Sequence, residues 1–510
     1  MTISKIAIAL EKWRKVLPAE SIRTSATELE AATEATFSNA VKISAILVPE
    51  STQDVARILK IASETRCKVY PYSRGKNWGL GSRLPVLDNC VLIDLSAMNL
   101  ILDYDPVMGT ITVQPGVCFS QVAAYLIEKK SKFYASVTGG SPNGSLIGNA
   151  LDRGGGDGPM GDRAANMAAL EVVLATGEIV RTGFARFGQA STASLVKQGV
   201  GYSLQELLTQ SNLGVVTKAT FWLHRLPAER AYLLNKLNGV RELAVFLNEI
   251  RELLHEDVIY PQSVFIWNSY KTLARARANH LKVKIQSDHL NYQSDRHWSS
   301  TIRMHAANSQ MLDSSVEVVT KRLKSTSQTW SELRKHDVSA ADWAQLAPGN
   351  PSGLNVISAY WRKSGQMPDV EDLDPDRDRC GLLWICPSLP LVGDLISSVM
   401  AKVETIILSH DFEPNIGFNP ISARAIEAYI GIMYDLDVPG EDGRAIKCHD
   451  DVVDWLISQG HLLFRLGTQS MRKMPFEVDQ SSALFRRIKQ AFDPEQIISP
   501  GRYLAHDLPS

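Results

Sequence analysis

The chain has 510 residues, 45% hydrophobic and 21% charged, the profile of a soluble protein large enough for about two to four domains. With 54 Lys and Arg against 55 Asp and Glu, the net charge of −1 excludes a general nucleic-acid or anionic-membrane binder, which carries a basic excess. No apolar run approaches the ~18 residues of a membrane span, Ile6–Leu10 is broken at once by Glu11-Lys12-Trp13-Arg14-Lys15, and the six cysteines form no CxxC pair, so a cytoplasmic protein without signal peptide, zinc site or disulfide framework is expected.

In chain order, Ile43–Pro49 is strand-like. Glu50-Ser51-Thr52 then offers capping hydroxyls to a helix in which Val55, Ile58, Leu59 and Ala62 recur at helical spacing. Val69-Tyr70 is a second strand, which Pro71 is expected to end. Cys90–Leu95 and Thr110–Gln114 are β-rich, Phe119–Lys129 is helical, and Leu170–Ala175 with Glu178–Arg181 reads as a hairpin turned at Thr176-Gly177. Composition shifts near Pro227 toward longer helical stretches, divided by the acidic, loop-rich Pro368–Arg379. Trp267 and Trp384, each in an apolar run, read as core residues. Ala425–Tyr434 alternates like a strand, which puts Glu427 and Tyr429 on one face. Phe485–Phe492 is a last helix, and Ile497–Arg502 reads as a final strand and turn. The fold class is α+β.

Three segments carry chemistry. Directly after the second strand, Pro71-Tyr72-Ser73-Arg74-Gly75-Lys76-Asn77-Trp78-Gly79-Leu80-Gly81-Ser82 combines three glycines with polar and cationic residues, so its backbone N–H groups can point at an anion. It is neither a GxxxxGK[ST] phosphate loop nor a dinucleotide fingerprint, since Gly79-x-Gly81 lacks the third glycine and the following helix. The second segment, Gly139–Asn149 continuing through Arg153 to Asp162, has nine glycines in 24 residues, yet Leu146-Ile147 and Arg153 set it apart from a flexible linker. The third, Ser211-Asn212-Leu213-Gly214-Val215-Val216-Thr217, is a loop entering a strand. Taken singly, the first and third also read as ordinary turn-rich loops.

In this order and at these separations the segments resemble the flavoprotein family of vanillyl-alcohol oxidase and p-cresol methylhydroxylase. The resemblance covers most of residues 40–225 and 455–505, where Phe464-Arg465 is similar to the family's Tyr-Arg pair and SPGR (499–502) to its C-terminal turn. It implies a two-subdomain FAD-binding domain of the p-cresol methylhydroxylase type, split into residues 1–227 and a return at 460–510. Between them an α+β cap domain, residues 228–459, carries an antiparallel sheet and the substrate. The implied FAD contacts are Tyr72, Ser73, Arg74, Gly75, Lys76, Asn77, Trp78, Gly79 and Ser82 in the first segment. In the second they are Gly139, Gly140, Ser141, Gly144, Ser145, Gly148, Asn149, Asp152, Gly154, Gly155 and Gly161. Gly214, Val215 and Val216 lie at the adenosine end, and Arg465 and Arg502 join from the return.

The same resemblance makes Arg465 the cation facing flavin and substrate, and leaves Arg424, Glu427 and Tyr429, with Tyr434 and Asp435, as ionisable candidates of the cap. Many relatives bind FAD covalently. Here the first histidine is His224, so a His link from the N-terminal loop is excluded and its position reads Lys76. The cap His-His string reads Arg424-Ala425-Ile426-Glu427-Ala428, and the Tyr link falls on Phe412, with His410 and Tyr429 nearby. Noncovalent FAD is expected. The family's phenol-binding tyrosines read Leu80 and Phe464, and its aspartate near the flavin reads Gly140. A buried phenolate without donors costs several kcal/mol, so simple 4-alkylphenols and vanillyl alcohol are expected to be poor substrates.

The expected function is therefore an FAD-dependent removal of hydride from a C–H bond, at an alcohol, amine or benzylic carbon, of a small aromatic or apolar substrate. O2 or an electron-carrier protein would be the acceptor, with no metal, nucleic acid or membrane involved, and the family favours a homodimer. The alternatives are a cytochrome-coupled 4-alkylphenol dehydrogenase subunit, a non-catalytic flavin-binding protein, and an NAD-dependent dehydrogenase, against which the missing third glycine counts.

Overall fold

The helix Thr52–Thr65 shows how the N-terminal pattern becomes a layer. Ser51 Oγ accepts from Asp54 N at 3.1 Å and starts the helix. Its stripe of Val55, Ile58, Leu59 and Ala62 is fully buried in a core shared with Leu47, Val91 and Ile93. Those residues belong to a four-stranded sheet ordered Ile22–Arg23, Ile43–Leu47, Cys90–Asp94, Val69–Tyr72, parallel in its last three strands. In the computed structural model, which describes residues 5–237, 239–276, 297–363, 367–474 and 480–503, Pro71 does not end its strand. Val69–Tyr72 is an edge strand, so the missing N–H costs no ladder bond. The strand expected at Ile497 shrinks to a single bridge from Ile498 to Val69, with Ser499 N donating to Val69 O at 2.8 Å. The C-terminal return is thereby tied to the strand that feeds the first glycine segment.

A second, antiparallel sheet of five strands is ordered Ile101–Asp105, Thr110–Val113, Val215–Trp222, Met167–Val173, Ile179–Arg181. The expected hairpin is its last pair, starting three residues earlier than Leu170. Helices Phe119–Glu128 and Leu146–Leu151 bury Phe119, Val122, Leu126, Leu146 and Ile147 in the same core.

The third sheet has eight antiparallel strands in the order Thr329–Leu333, Glu229–Leu237, Trp298–Ala306, Val264–Asn268, Asn415–Pro420, Ala425–Asp435, Cys380–Pro390, Leu463–Arg465. Its period of two sorts the residues. Leu233, Val264, Ile266, Ile302, Leu383, Ile385, Ile416, Phe418, Ile426, Ala428 and Ile430 face one side. There helices Val240–His255, Ser309–Leu323, Gly393–Ser409 and Glu441–Ser458 cover them with Phe246, Leu247, Val319, Val403 and Val452. Each fully buried Leu, Ile or Phe contributes about 1.5–3 kcal/mol, so this face decides the sheet's register. The alternate residues are thereby committed to the opposite face, where the site lies. Leu463–Arg465, which the sequence assigns to the return, is the last strand of this sheet and sets Arg465 opposite Cys386. Among the described residues no helix is long and apolar enough to cross a membrane, and no group of His, Cys, Asp and Glu is placed to hold a metal.

Candidate active site

The opposite face of the eight-stranded sheet, partly covered by residues 353–361 and the helix Ser269–Ala276, and the three glycine-bearing segments close on one cavity of about 1520 Å3. That exceeds the roughly 300–1,000 Å3 of an ordinary ligand pocket. Of the FAD contacts expected from sequence, all but Gly79, Gly154 and Gly161 line it.

The glycine side is a surface of unused donors. From Arg74 to Trp78 no backbone N–H finds an acceptor among the described residues, and the buried Trp78 Nε1 has no partner either. Five successive free amides in a loop of polar and cationic residues suit an anion such as a pyrophosphate. The second segment lies close beside the first, since a Cβ on Gly148 would stand 2.8 Å from Ser73 Oγ, and it approaches residues 353–360 at Gly139, where a Cβ would stand 2.9 Å from Asn355 Nδ2. These residues fit a dinucleotide. The three exceptions are glycines for packing reasons. A Cβ on Gly79, where φ is +77°, would stand 2.3 Å from Trp384 Cδ1. One on Gly154 would meet the Asn149 amide at 2.3 Å, and one on Gly161 the Gln262 side chain at 1.8 Å.

Asp152 joins the halves. It accepts from Arg465 Nε at 3.0 Å, Arg502 Nη2 at 2.7 Å, Tyr503 Oη at 2.6 Å and Asn77 Nδ2 at 3.2 Å. Burial pushes its carboxyl up, but Arg465 and Arg502 outweigh burial and hold it below the usual range. Arg465 also donates to Asn77 Oδ1 at 2.8 Å, so a charge buried in the cavity wall is fixed from two sides. Arg163, which the sequence reading missed, orders the second segment from beneath by donating to Gly154 O at 2.7 Å, Gly155 O at 2.6 Å and Val137 O at 3.1 Å. Burial lowers this guanidinium to about 10. Lys76 pairs with Asp374 and lies 5.2 Å above the Trp78 ring.

On the cap side, alternation places Phe265, Trp267, Thr301, Arg303, Trp384, Cys386, Gly417, Asn419 and Tyr429 along the cavity. The core reading of Trp267 is thus corrected, while Trp384 both lines the cavity and packs against the buried cluster of Trp78, Val356 and Leu382. Each occupies the strand position opposite to its buried neighbours Ile266 and Ile385. Tyr429 Oη donates to Glu427 Oε2 at 2.7 Å, and its ring packs edge-on against Phe464 with centroids 5.8 Å apart. Glu427 stands behind Tyr429 and does not line the cavity. Burial pushes its carboxyl up to about 7, and burial followed by Glu427 drives the Tyr429 phenol well above its ordinary value.

Other candidates fall elsewhere. Arg424 is exposed, just before the strand Ala425–Asp435 begins, and does not line the cavity. His410 pairs with Asp451 at 2.9 Å, and Phe412 and Tyr434 are buried in the core behind the sheet. Asp435 pairs with Lys363 at 2.8 Å. Of the positions read as lost phenol donors, Leu80 lines the cavity while Phe464 supports Tyr429.

The sequence reading also missed three cations. Arg303 pairs with Asp157 and lies 4.6 Å over the Phe265 ring. Lys271 and Arg275 stand one turn apart on the helix Ser269–Ala276, which starts as the strand Val264–Asn268 ends; Asn268 Oδ1 accepts from Lys271 N at 3.0 Å. Both line the cavity. Burial lowers the Lys271 ammonium to about 8, and burial, then Arg303, lowers Arg275. The i,i+4 spacing was the one available signal, and it does not say which face is covered.

A family described as an FAD binding domain matches residues 43–183. The chain is 34% identical to 1'-carboxy-chondrochloren decarboxylase of Chondromyces crocatus, over 100% of this chain and 99% of that protein. It is 27% identical to the 4-cresol dehydrogenase [hydroxylating] flavoprotein subunit of Pseudomonas putida, over 90% and 87% respectively. Among solved structures it is similar to p-cresol methylhydroxylase with substrate bound, at a TM-score of 0.88 and 23% identity, covering 99% and 98% of the two chains. It is also similar to 4-ethylphenol oxidase from Gulosibacter chungangensis, at a TM-score of 0.85 and 19% identity, covering 98% and 97%. The two structural likenesses concern the fold.

Proposed function

Since this chain belongs to the FAD-dependent flavoprotein family of p-cresol methylhydroxylase, we propose that it oxidises a small organic molecule lying between the glycine side and the two indoles of the cap. Bound FAD supplies the two-electron acceptor for a hydride leaving a substrate C–H bond. The amides of Arg74–Trp78 and the glycines from 139 to 148 would hold the cofactor without covalent attachment; among the described residues the cavity lining includes no histidine, and its Tyr429 is engaged by Glu427. Acid precipitation then releases the yellow colour into the supernatant. Trp267 and Trp384 offer flat apolar walls that orient an arene and exclude water. Arg465, anchored by Asp152 and Asn77, keeps a fixed positive charge in the wall where negative charge develops.

Tyr429 and Glu427 move a proton. The Tyr429 hydroxyl takes a proton from a substrate O–H or N–H as it passes its own to Glu427 Oε2, so no free tyrosinate is needed. The observation that carries this reading is that one cavity brings the free amides, the indole walls and the Tyr429–Glu427 pair together.

The full-length likeness to a decarboxylase favours a second reading. A carboxylate on the carbon next to the oxidised one departs as CO2: the C–H bond gives up its hydrogen with two electrons, and the C–COO− bond pair becomes the new C=C bond. One experiment addresses both readings. Arylalkyl alcohols, amines and carboxylic acids are screened anaerobically for bleaching of the flavin absorbance, with CO2 measured in parallel. Bleaching with CO2 in equal amount favours the second reading, and bleaching without it the first. No bleaching by any class would reject both.

A further inference from the structure

We propose that the substrate is a carboxylate and that Lys271 and Arg275 hold it over the indole walls of the cap. The inference rests on the reading that the cap half of the cavity takes the substrate. Four cations stand on that half. Arg465 already has a carboxylate partner in Asp152, and Arg303 has one in Asp157. Lys271 and Arg275 have no carboxylate partner among the described residues. Lys271 Nζ donates to Asn415 Oδ1 at 3.1 Å, a neutral acceptor, and lies 5.0 Å above the Trp384 ring; Arg275 lies 5.0 Å above the Trp267 ring.

A cation in an apolar wall is costly unless it is paired. Here the pairing atom has to come from the cavity, and two adjacent cations suit the two oxygens of one carboxylate. The backbone makes room for this. A Cβ on Gly417 would stand 3.0 Å from both Lys271 Cδ and Trp267 Cδ1, so the bare glycine leaves both side chains on one continuous patch. Flat indole beside paired cations fits an acid whose apolar or aromatic body lies on the rings. A site that donates to a carboxylate rejects the neutral amide, whose NH2 group meets donors instead of an acceptor partner.

The test is calorimetric titration of the full-length, FAD-loaded protein with benzoate and with benzamide. Benzoate should bind at least about tenfold more tightly, as expected of a charged hydrogen bond. Lys271→Met and Arg275→Met should each erase the preference while the flavin spectrum is retained, and Lys271→Arg should keep it. Should Lys271→Met fail to hold FAD, Arg275→Met and Lys271→Arg decide. Equal binding of the two compounds, no binding of benzoate, or a preference surviving in the Met variants overturns the proposal. Benzoate binding needs no turnover, so a protein that prefers benzoate but is reduced by no compound fails the functional reading alone.

Discussion

Tyr429 Oη lies 2.7 Å from Glu427 Oε2, with the phenol at the cavity and the carboxyl behind it. A Cβ on Gly155 would stand 2.4 Å from that same hydroxyl, so the glycine side reaches the pair directly. Glu427 accepts a proton only when ionised, and burial puts its titration at about 7. Turnover should therefore rise with pH through about 7 and level off. Glu427→Gln should lower kcat by at least about 10²-fold, the scale of a lost general base, and flatten that limb of the profile. A steady-state pH series on both proteins checks it.

The same shift makes a statement about stability. Burial raises the Glu427 carboxyl above its ordinary value of 4.5, so the folded protein favours the protonated form. The stability this brings is full below about pH 4.5 and is lost as pH rises through about 7. Relative to native protein, Glu427→Gln should therefore gain stability between pH 5 and 8, by up to about 3 kcal/mol. Denaturant melts of both proteins at the two pH values measure the difference.

Gly79 touches Trp384, so its substitution should act on the cap wall. Gly79→Ala places a side chain at φ +77° and within 2.3 Å of the indole. Strain of about 1–2 kcal/mol adds to about 1–3 kcal/mol of overpacking. Expected results are a lower melting temperature and a change in tryptophan fluorescence that is absent when the same substitution is made in a Trp384→Phe background.

Much of the fold was readable because burial follows period. The stripe Val55–Ala62 and the alternation Ala425–Tyr434 name their own buried faces, and the glycine segments declare a close approach of backbone to ligand. What sequence could not give is what stands across a gap. Trp267 and Trp384 alternate correctly, but alternation does not say that helices cover one face and a cavity the other. Gly79 and Gly161 look like ligand-contact glycines until the long-range partners Trp384 and Gln262 are seen. Arg163 sits beneath a loop with no periodic pattern, and Arg424 differs from Glu427 only by lying beyond the strand's end. Pro71 read as a strand breaker because an edge strand cannot be told from a central one by local sequence.

Asp152 is the point at which the C-terminal return meets the glycine side. Asp152→Ala leaves two buried guanidinium groups, Arg465 and Arg502, without their shared carboxylate. Removing one partner of a buried pair costs about 3–5 kcal/mol. The variant should melt earlier and lose FAD on gel filtration. Asp152→Asn, which keeps the acceptor oxygen but not the charge, should fall between the two.

The proposed chemistry requires FAD held by the free amides of Arg74–Trp78 and the glycines that follow. The direct measurement is the FAD content of purified protein incubated with excess FAD and then desalted. One FAD per chain, with the two-band flavin spectrum, is the expected result. A colourless protein that takes up no FAD would contradict the reading of the cavity, and with it the function proposed from it.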